Sequence, residues 1–313
     1  MIFMNPANID LSKMEIGRKS IVYRIFINII AFWAMLKFIF LCYILRIDRE
    51  KIRNEFYGSF FVDRFSKADR KARINAMNWR ALDELYNYYD RENNYTGIEN
   101  WFNNYWMRIE NAQALRNRAK LVKKIMLEEI KNKLNQRGQK KIKILSIASG
   151  SAQPLLEAIA CLNKARQKLL EVYLLDADKS ALDHSKFLSN SYGLSCSITC
   201  FNCKTTSLSE LFSGNSFDLI EMVGFLDYRT REKAIGLIKK IKGLLGNQGV
   251  FVTANVMPNK EKFFLDWVLL WPMIYRNEKQ FKDVILNSGF KENNTEVIID
   301  PLKVHQLAVC RAE

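Results

Sequence analysis

The chain has 313 residues, 49% hydrophobic and 26% charged, enough apolar material for a large core and too much for a disordered chain. Six cysteines spread thinly through that length exclude a disulfide scaffold and suit reduced thiols in a cytosolic compartment. The formal charge of +15 is uneven, with 26 Lys and Arg against 15 Asp and Glu in residues 1–140 and 22 against 18 thereafter. A basic front half admits a nucleic-acid footprint, an anionic membrane surface or solvated helix faces.

Residues 1–20 read as a tail. Residues 21–45, IVYRIFINIIAFWAMLKFIFLCYIL, contain no Pro or Gly and read as one helix within a hydrophobic segment, 21–47. The stretch from Ile25 to Leu45 would span about 30 Å, the thickness of a bilayer core. Its 13 Ile, Leu and Phe residues favour insertion by about 6 kcal/mol, against about 3 kcal/mol for Lys37 and a further cost for Asn28. Asn28 and Lys37 fall half a turn out of phase and define no single polar face. Arg18, Lys19 and Arg24 precede the helix and Arg46, Arg49, Lys51 and Arg53 follow it. RIDREK stands where a secretory signal would need small residues, so the segment is expected to be a membrane anchor; the alternative is a helix packed on the rest of the protein.

Residues 48–138 form an expected helical cap region, rich in aromatics in EFYGSFFVDRF and in the stretch up to Trp106. Leu115, Ala119, Leu121, Val122, Ile125, Met126 and Ile130 recur near helical spacing, which predicts a helix lying on the following body. NQRG at 135–138 ends it.

From residue 139 strands and helices alternate. Strands are predicted at 142–148, 170–176, 197–202, 217–223, 248–256, 295–300 and 302–310, and helices at 152–166, 179–191, near 207–213, 230–245 and near 277–288. This order predicts an α/β fold: a doubly wound, mostly parallel seven-stranded sheet, with an antiparallel last strand because Pro301 and its neighbour are too short for a crossover. Cys196, Cys200 and Cys203 have the spacing of a cluster-binding loop, yet they fall on a strand that turns Cys203 away from the other two; small buried thiols are expected, and no metal.

The turn after the first strand, ASGSAQ, keeps one glycine, Gly150, where a dinucleotide site would use three. LLDADKSAL ends the second strand in Asp176, the third ends in Asn202 and Cys203, and EMVGFLDY follows the fourth. With five βα units and an antiparallel final pair, residues 139–313 resemble the Rossmann-like domain of class I S-adenosylmethionine-dependent methyltransferases. The resemblance implies S-adenosyl-L-methionine as cofactor, bound by Ala148, Ser149, Gly150 and Ser151 in the first turn, with Ala152 at its end. It implies that Asp176 takes the ribose hydroxyls, with Ala177 beside the adenine, and that Asn202 and Cys203 meet the adenine edge. Glu221 and Gly224 would line the cofactor, and Asp227 and Tyr228 are the catalytic candidates. Asp176 has a competing role as a helix N-cap, which Asp178 could fill equally well.

Two departures from the family pattern stand out: Ser146 replaces an acid, and Ala148 and Ala152 replace glycines. The expectation is that Glu221, across the switch in strand order, supplies the missing negative charge toward the cofactor's ammonium. His184 and His305 are expected to be structural. FFLDWVLLWPMIYR, 263–276, lies where this family caps its substrate pocket; Trp267, Trp271 and Tyr275 are the substrate candidates, with Leu270 and Met273 beside them. The resulting expectation is a methyltransferase on the cytoplasmic face of a membrane, acting on a small lipophilic or lipid-like acceptor. RNA methylation is the rival enzyme reading, but the front half shows no RNA-binding module and EMVG is not an Asn/Asp-Pro-Pro-aromatic signature, so nucleic acid is not the expected partner. A non-catalytic cofactor-binding protein is the rival from another class.

Overall fold

The computed structural model describes residues 14–17, 21–48, 51–52, 64, 66–90 and 95–313. Arg18, Lys19, Arg49, Arg53, most of the expected tail and most of EFYGSFFVDRF lie outside them.

Seven strands form one sheet in the order β3-β2-β1-β4-β5-β7-β6: β1 (Ile142–Ile147), β2 (Leu170–Asp176), β3 (Ser197–Asn202), β4 (Phe217–Met222), β5 (Leu245–Val256), β6 (Thr295–Ile299) and β7 (His305–Arg311). β7 runs antiparallel to both β5 and β6, and the remaining pairs are parallel. The central strands are apolar in both registers because both faces are covered. Ile142 and Ile144 point to one face and Leu145 and Ile147 to the other. On the first face lie α5 (Glu110–Arg137), α6 (Gln153–Ala160) and α8 (Lys179–Ser191), through Ile125, Met126, Leu156 and Leu182. On the second lie α10 (Arg231–Lys242) and α12 (Glu278–Asn287), through Ile238, Ile241, Phe281 and Ile285.

The helix predicted over 152–166 is broken. It stops at Ala160, and a separate turn, α7 (Lys164–Gln167), starts under an Asn163 cap that accepts from the Arg166 amide. A new N-cap three residues before the predicted end outweighs the apolar pattern. α9 (Leu208–Leu211) is the short helix before β4.

A third core lies above the C-terminal strand ends. It joins α1 (Ile21–Ile39), α2 (Lys67–Ile74), α3 (Trp79–Tyr86), α4 (Gly97–Trp106) and α11 (Lys262–Trp267). α1 continues as a π turn, Phe40–Ile44. Tyr23, Ile27, Ile30 and Ala31 are buried in this core, one face at helical spacing. The other face of α1 is apolar and exposed: Val22 is 74%, Trp33 66% and Tyr43 67% accessible. Asn28 and Lys37 are exposed too, and the Asn28 amide donates to the Arg24 carbonyl.

Glu261, just before α11, ties these helices together. Its carboxylate accepts from the Tyr23 hydroxyl (2.5 Å), the Glu110 and Asn111 amides (2.8 Å each) and the Asn111 side chain (2.8 Å). A carboxylate distant in sequence thus caps the N-terminus of α5, where Ile109 offers no cap of its own.

Candidate functional site

The site begins where β1 hands over to α6. Ala148, Gly150 and Ala152 all have left-handed backbones, at φ 50°, 53° and 50°. An alanine tolerates that region at a cost of about 1–2 kcal/mol, so the family's glycine geometry survives at 148 and 152 without the glycines. At 150 a side chain would also crowd its neighbour: a Cβ there would stand 3.3 Å from Trp79 Cβ.

The Gly150 amide donates to Asp176 Oδ2 (2.8 Å) and the Asp178 amide to Asp176 Oδ1 (2.8 Å). The cap of α8 is Asp178, which accepts from the Ser180 amide (2.9 Å). Burial alone would raise the Asp178 carboxyl, but hydrogen bonds from Ser180 and Asn78 and the charge of Arg80 hold it below the usual range. With the capping done elsewhere, Asp176 faces the cavity at the β2 end. Asn202 does not line the cavity. It is exposed and buttresses the β2 turn, its Nδ2 donating to the carbonyls of Asp176 (3.1 Å) and Ala177 (3.0 Å). Cys203 does line the cavity, and packs toward the α10 side, whereas Cys196 and Cys200 pack toward the α5 side.

Ser146 and Glu221 are register partners on β1 and β4, and the serine hydroxyl donates to Glu221 Oε2 at 2.5 Å. Both point to the α5 face, as the alternation of their strands requires. The carboxylate of Glu221 therefore sits beside the position where the family carries its acid. Burial pushes its carboxyl from 4.5 up to about 7, opposed by the Ser146 hydrogen bond and the charge of Arg118.

Arg118, on α5 and 2% exposed, reaches the same cavity. Its Nη2 lies 3.2 Å from the Tyr86 hydroxyl, and its Nη1 is 3.8 Å from Asp227 Oδ2. A Cβ on Gly224, whose φ is 83°, would meet Nη2 at 3.4 Å, so the turn after β4 and the guanidinium are in close approach. Asp227 is buried and its Oδ1 accepts from the Val256 amide at 2.7 Å. Burial raises its carboxyl, opposed by Arg118, Val256 and Arg276.

These groups surround one cavity of about 600 Å³ at the switch in strand order, between β1 and β4. Ala148, Ser149, Gly150, Ser151, Asp176 and Ala177 line it from the β1 and β2 ends. Glu221, Gly224, Asp227 and Tyr228 line it from the β4 end. Its roof is apolar and aromatic, made by Trp79, Trp106, Leu265, Leu269, Trp271 and Met273. Trp271 Nε1 donates to the Tyr228 hydroxyl at 2.6 Å, fixing the phenol against the roof.

The other two substrate candidates, Trp267 and Tyr275, do not line the cavity. Trp267 packs edge-on against Phe38 of α1, with ring centroids 5.8 Å apart. Tyr275 lies beneath the Lys262 ammonium and joins a separate cluster with Val256 and Val304. The reason is local. α11 stops at Trp267 and Leu270 adopts φ 50°, so the segment leaves helical spacing and only part of it turns inward. Of the histidines, His184 stacks on Trp79 at 4.7 Å, 3.6 Å from Asp83. His305 is buried at the cavity wall, and burial followed by the charge of Arg118 lowers its imidazole well below the usual value, so it stands neutral.

Sequence reading missed Arg118, Trp79 and Trp106. Arg118 looks like any cation of a long basic helix, and its neighbour Arg116 is a structural partner of Glu15 (2.5 and 2.7 Å). Trp79 belongs to a latch that holds α3 over the first turn: Trp79 Nε1 and Arg80 donate to Ser180 Oγ (3.2 and 2.9 Å), and Asn87 and Gln153 exchange hydrogen bonds (3.0 and 2.7 Å).

No family model matches the sequence, and no curated protein matches it. Among solved structures the chain is similar to a possible exported protein from Bordetella parapertussis, with 13% identity, a TM-score of 0.63, and 94% of this chain and 99% of that one covered. It is also similar to magnesium protoporphyrin IX methyltransferase from Synechocystis PCC 6803 with bound SAH, with 8% identity, a TM-score of 0.50, and coverage of 74% and 94%. At such identities the likeness is one of fold, and the fold is that of the class I S-adenosylmethionine-dependent methyltransferases.

Proposed function

We propose that the chain is an S-adenosylmethionine-dependent methyltransferase that acts on a small lipophilic acceptor at a membrane surface. The observation that carries the reading is the cavity at the β1/β4 switch, with Asp176 at one end of its floor, Glu221 at the other, and an aromatic roof. The residues suit the cofactor. The first turn is small enough for close approach and the anionic floor complements a ligand bearing sulfonium and ammonium charges.

When bound, S-adenosylmethionine supplies an electrophilic methyl on a sulfur that departs without an acid. The protein's share is then alignment and exclusion of water. Asp176 would accept from the ribose hydroxyls while remaining held by Gly150 and Asp178, with Ala177 and Cys203 flanking the adenine. Glu221 would receive the ammonium, which favours its ionised form. Tyr228, oriented by Trp271, would take the acceptor's proton. Asp227 offsets the charge of Arg118 and, through Val256, fixes the turn that carries Tyr228.

Two features support a lipophilic acceptor and membrane attachment. The roof is apolar, and the exposed face of α1 continues through Phe26 and Tyr105, 6.0 Å apart, to Trp101, stacked on Tyr105 at 5.4 Å and 59% accessible. The segment Val22–Ile44 is long and apolar enough to cross a bilayer, with mean hydropathy 2.3. Its inner face is nevertheless occupied by the protein's own core, which favours a helix lying in the interface with Trp33, and Trp101 of α4, at headgroup depth. Basic residues at its end, Arg46 and Lys51, suit an anionic cytoplasmic leaflet. Methyl-labelled S-adenosylmethionine incubated with the full chain and a lipid extract should give labelled lipid-soluble product. Binding without product across lipid and aqueous extracts would overturn the enzyme reading in favour of a sensor.

A further inference from the structure

His305 is a buried titratable group that the chemistry above leaves idle. It opens β7 opposite Val256, at the end of β5. Its backbone is committed on both sides, the amide donating to Asp300 Oδ2 and the carbonyl accepting from the Asp300 amide at 2.9 Å. The ring is not. It is 2% exposed and lines the cavity, and no hydrogen bond from a described residue reaches it. Nδ1 is enclosed without a partner, which leaves Nε2 as the ring nitrogen open to the cavity. His184, in contrast, lies outside the cavity, stacked on Trp79 and 3.6 Å from Asp83. A polar ring withdrawn from water and given nothing to bond weakens the fold, and in a cavity wall it is a contact waiting for a ligand.

The sheet says which ligand. In the order β1-β4-β5-β7 the ring lies past Glu221 and away from Asp176, under the roof segment that follows β5. Its register partner Val256 holds Asp227, and so the turn that carries Tyr228. This is the acceptor's end of the cavity. Burial, and then the charge of Arg118, keep the imidazole neutral, so it is fitted to bind a group and not to take its proton. A neutral ring keeps one N–H donor, and the positive field of Arg118 favours an electron-rich atom in front of it. We propose that His305 is a specificity-determining residue for the acceptor, its Nε2–H donating to a carbonyl-type oxygen that the acceptor carries at the Tyr228 end. The contact rests on the function proposed above and narrows the lipophilic acceptor to a carbonyl compound such as an aromatic ketone, a quinone or an ester.

The chain has two histidines, so labelling histidine with heavy nitrogen gives a magnetic-resonance reporter at the site and a control at His184. The probes are benzophenone and diphenylmethane, which differ in the carbonyl oxygen, each added to the full chain with S-adenosylhomocysteine. Benzophenone should shift the ring N–H signal of His305, leave His184 in place, and bind about threefold to tenfold more tightly than diphenylmethane, the worth of one hydrogen bond. His305→Phe should abolish that preference, which a merely structural ring would not set. His305→Gln keeps an N–H donor and should retain most of it; this variant also serves if the first does not fold. An unmoved His305 signal, or a preference that survives in His305→Phe, would overturn the contact and leave the methyltransferase reading intact. Wild-type protein that does not bind S-adenosylhomocysteine would overturn both.

Discussion

Replacing Glu221 by Gln should stabilise the protein and weaken its ligand. Burial moves this carboxyl from its ordinary 4.5 to about 7. In the unfolded chain the proton leaves near 4.5 and in the folded chain near 7, so the folded state binds it more tightly throughout that window. Stability therefore falls as pH rises from 4.5 through 7 and is level above. At about 1.4 kcal/mol for each tenfold change in proton affinity, the loss by pH 8 is about 3 kcal/mol. Glutamine carries no such loss. An unfolding entropy of about 2.1 cal/mol/K per residue makes the gain about 5 °C in Tm for a chain of this length. The assay is calorimetric melting of wild type and Glu221→Gln, without ligand, at pH 5 and pH 8. The variant's advantage should appear at pH 8 and shrink toward zero at pH 5, while S-adenosylhomocysteine binding at pH 8 weakens by about 10–100-fold. An advantage independent of pH, or none at pH 8, would refute the burial argument, and unchanged ligand affinity would remove Glu221 from the ammonium.

Asp176→Asn keeps the shape but halves the acceptor capacity at the β2 end; both S-adenosylhomocysteine and methylthioadenosine should bind about 100-fold more weakly by calorimetry, since both carry the ribose. Ala148→Gly should raise stability by about 0.5–1 kcal/mol, relief of the left-handed alanine less the added freedom of the unfolded chain, with ligand affinity unchanged; a destabilised variant would show that the turn's strain is not at this residue. Trp33→Glu combined with Trp101→Glu should cut co-sedimentation with anionic phospholipid vesicles by about tenfold or more, with a melting temperature near wild type because both rings are exposed. Unaltered sedimentation would reject the α1 face as the attachment surface.

The sheet was legible because its signal is periodic: buried aliphatic runs at regular distance, and two final strands too closely joined to be parallel. Gly150 and Asp176 were legible for the same reason, as each stands at a strand end. Glu221 could be placed opposite Ser146 because strand order fixes which ends are adjacent. The roof was not legible. Trp267, Trp271 and Tyr275 share an apolar segment, and the left-handed Leu270 that parts Trp267 from the inward Trp271 carries no mark in the sequence. Nor was Arg118, since nothing in a run of lysines and arginines marks which one the tertiary fold withdraws from water. The apolar character of α1 was plain, yet its two faces differ in what they meet more than in composition, and that is a tertiary property.

The Glu261 clasp bears on how this chain can be handled. Its one carboxylate grips α1 and the start of α5, and it lies just upstream of the segment that forms the roof. Excising the apolar helix α1 to gain solubility would therefore strip the cover from Ile109, Leu265 and Val268 and loosen the ceiling over the cavity. Repainting only the outward residues of that helix with polar side chains would leave the clasp shut.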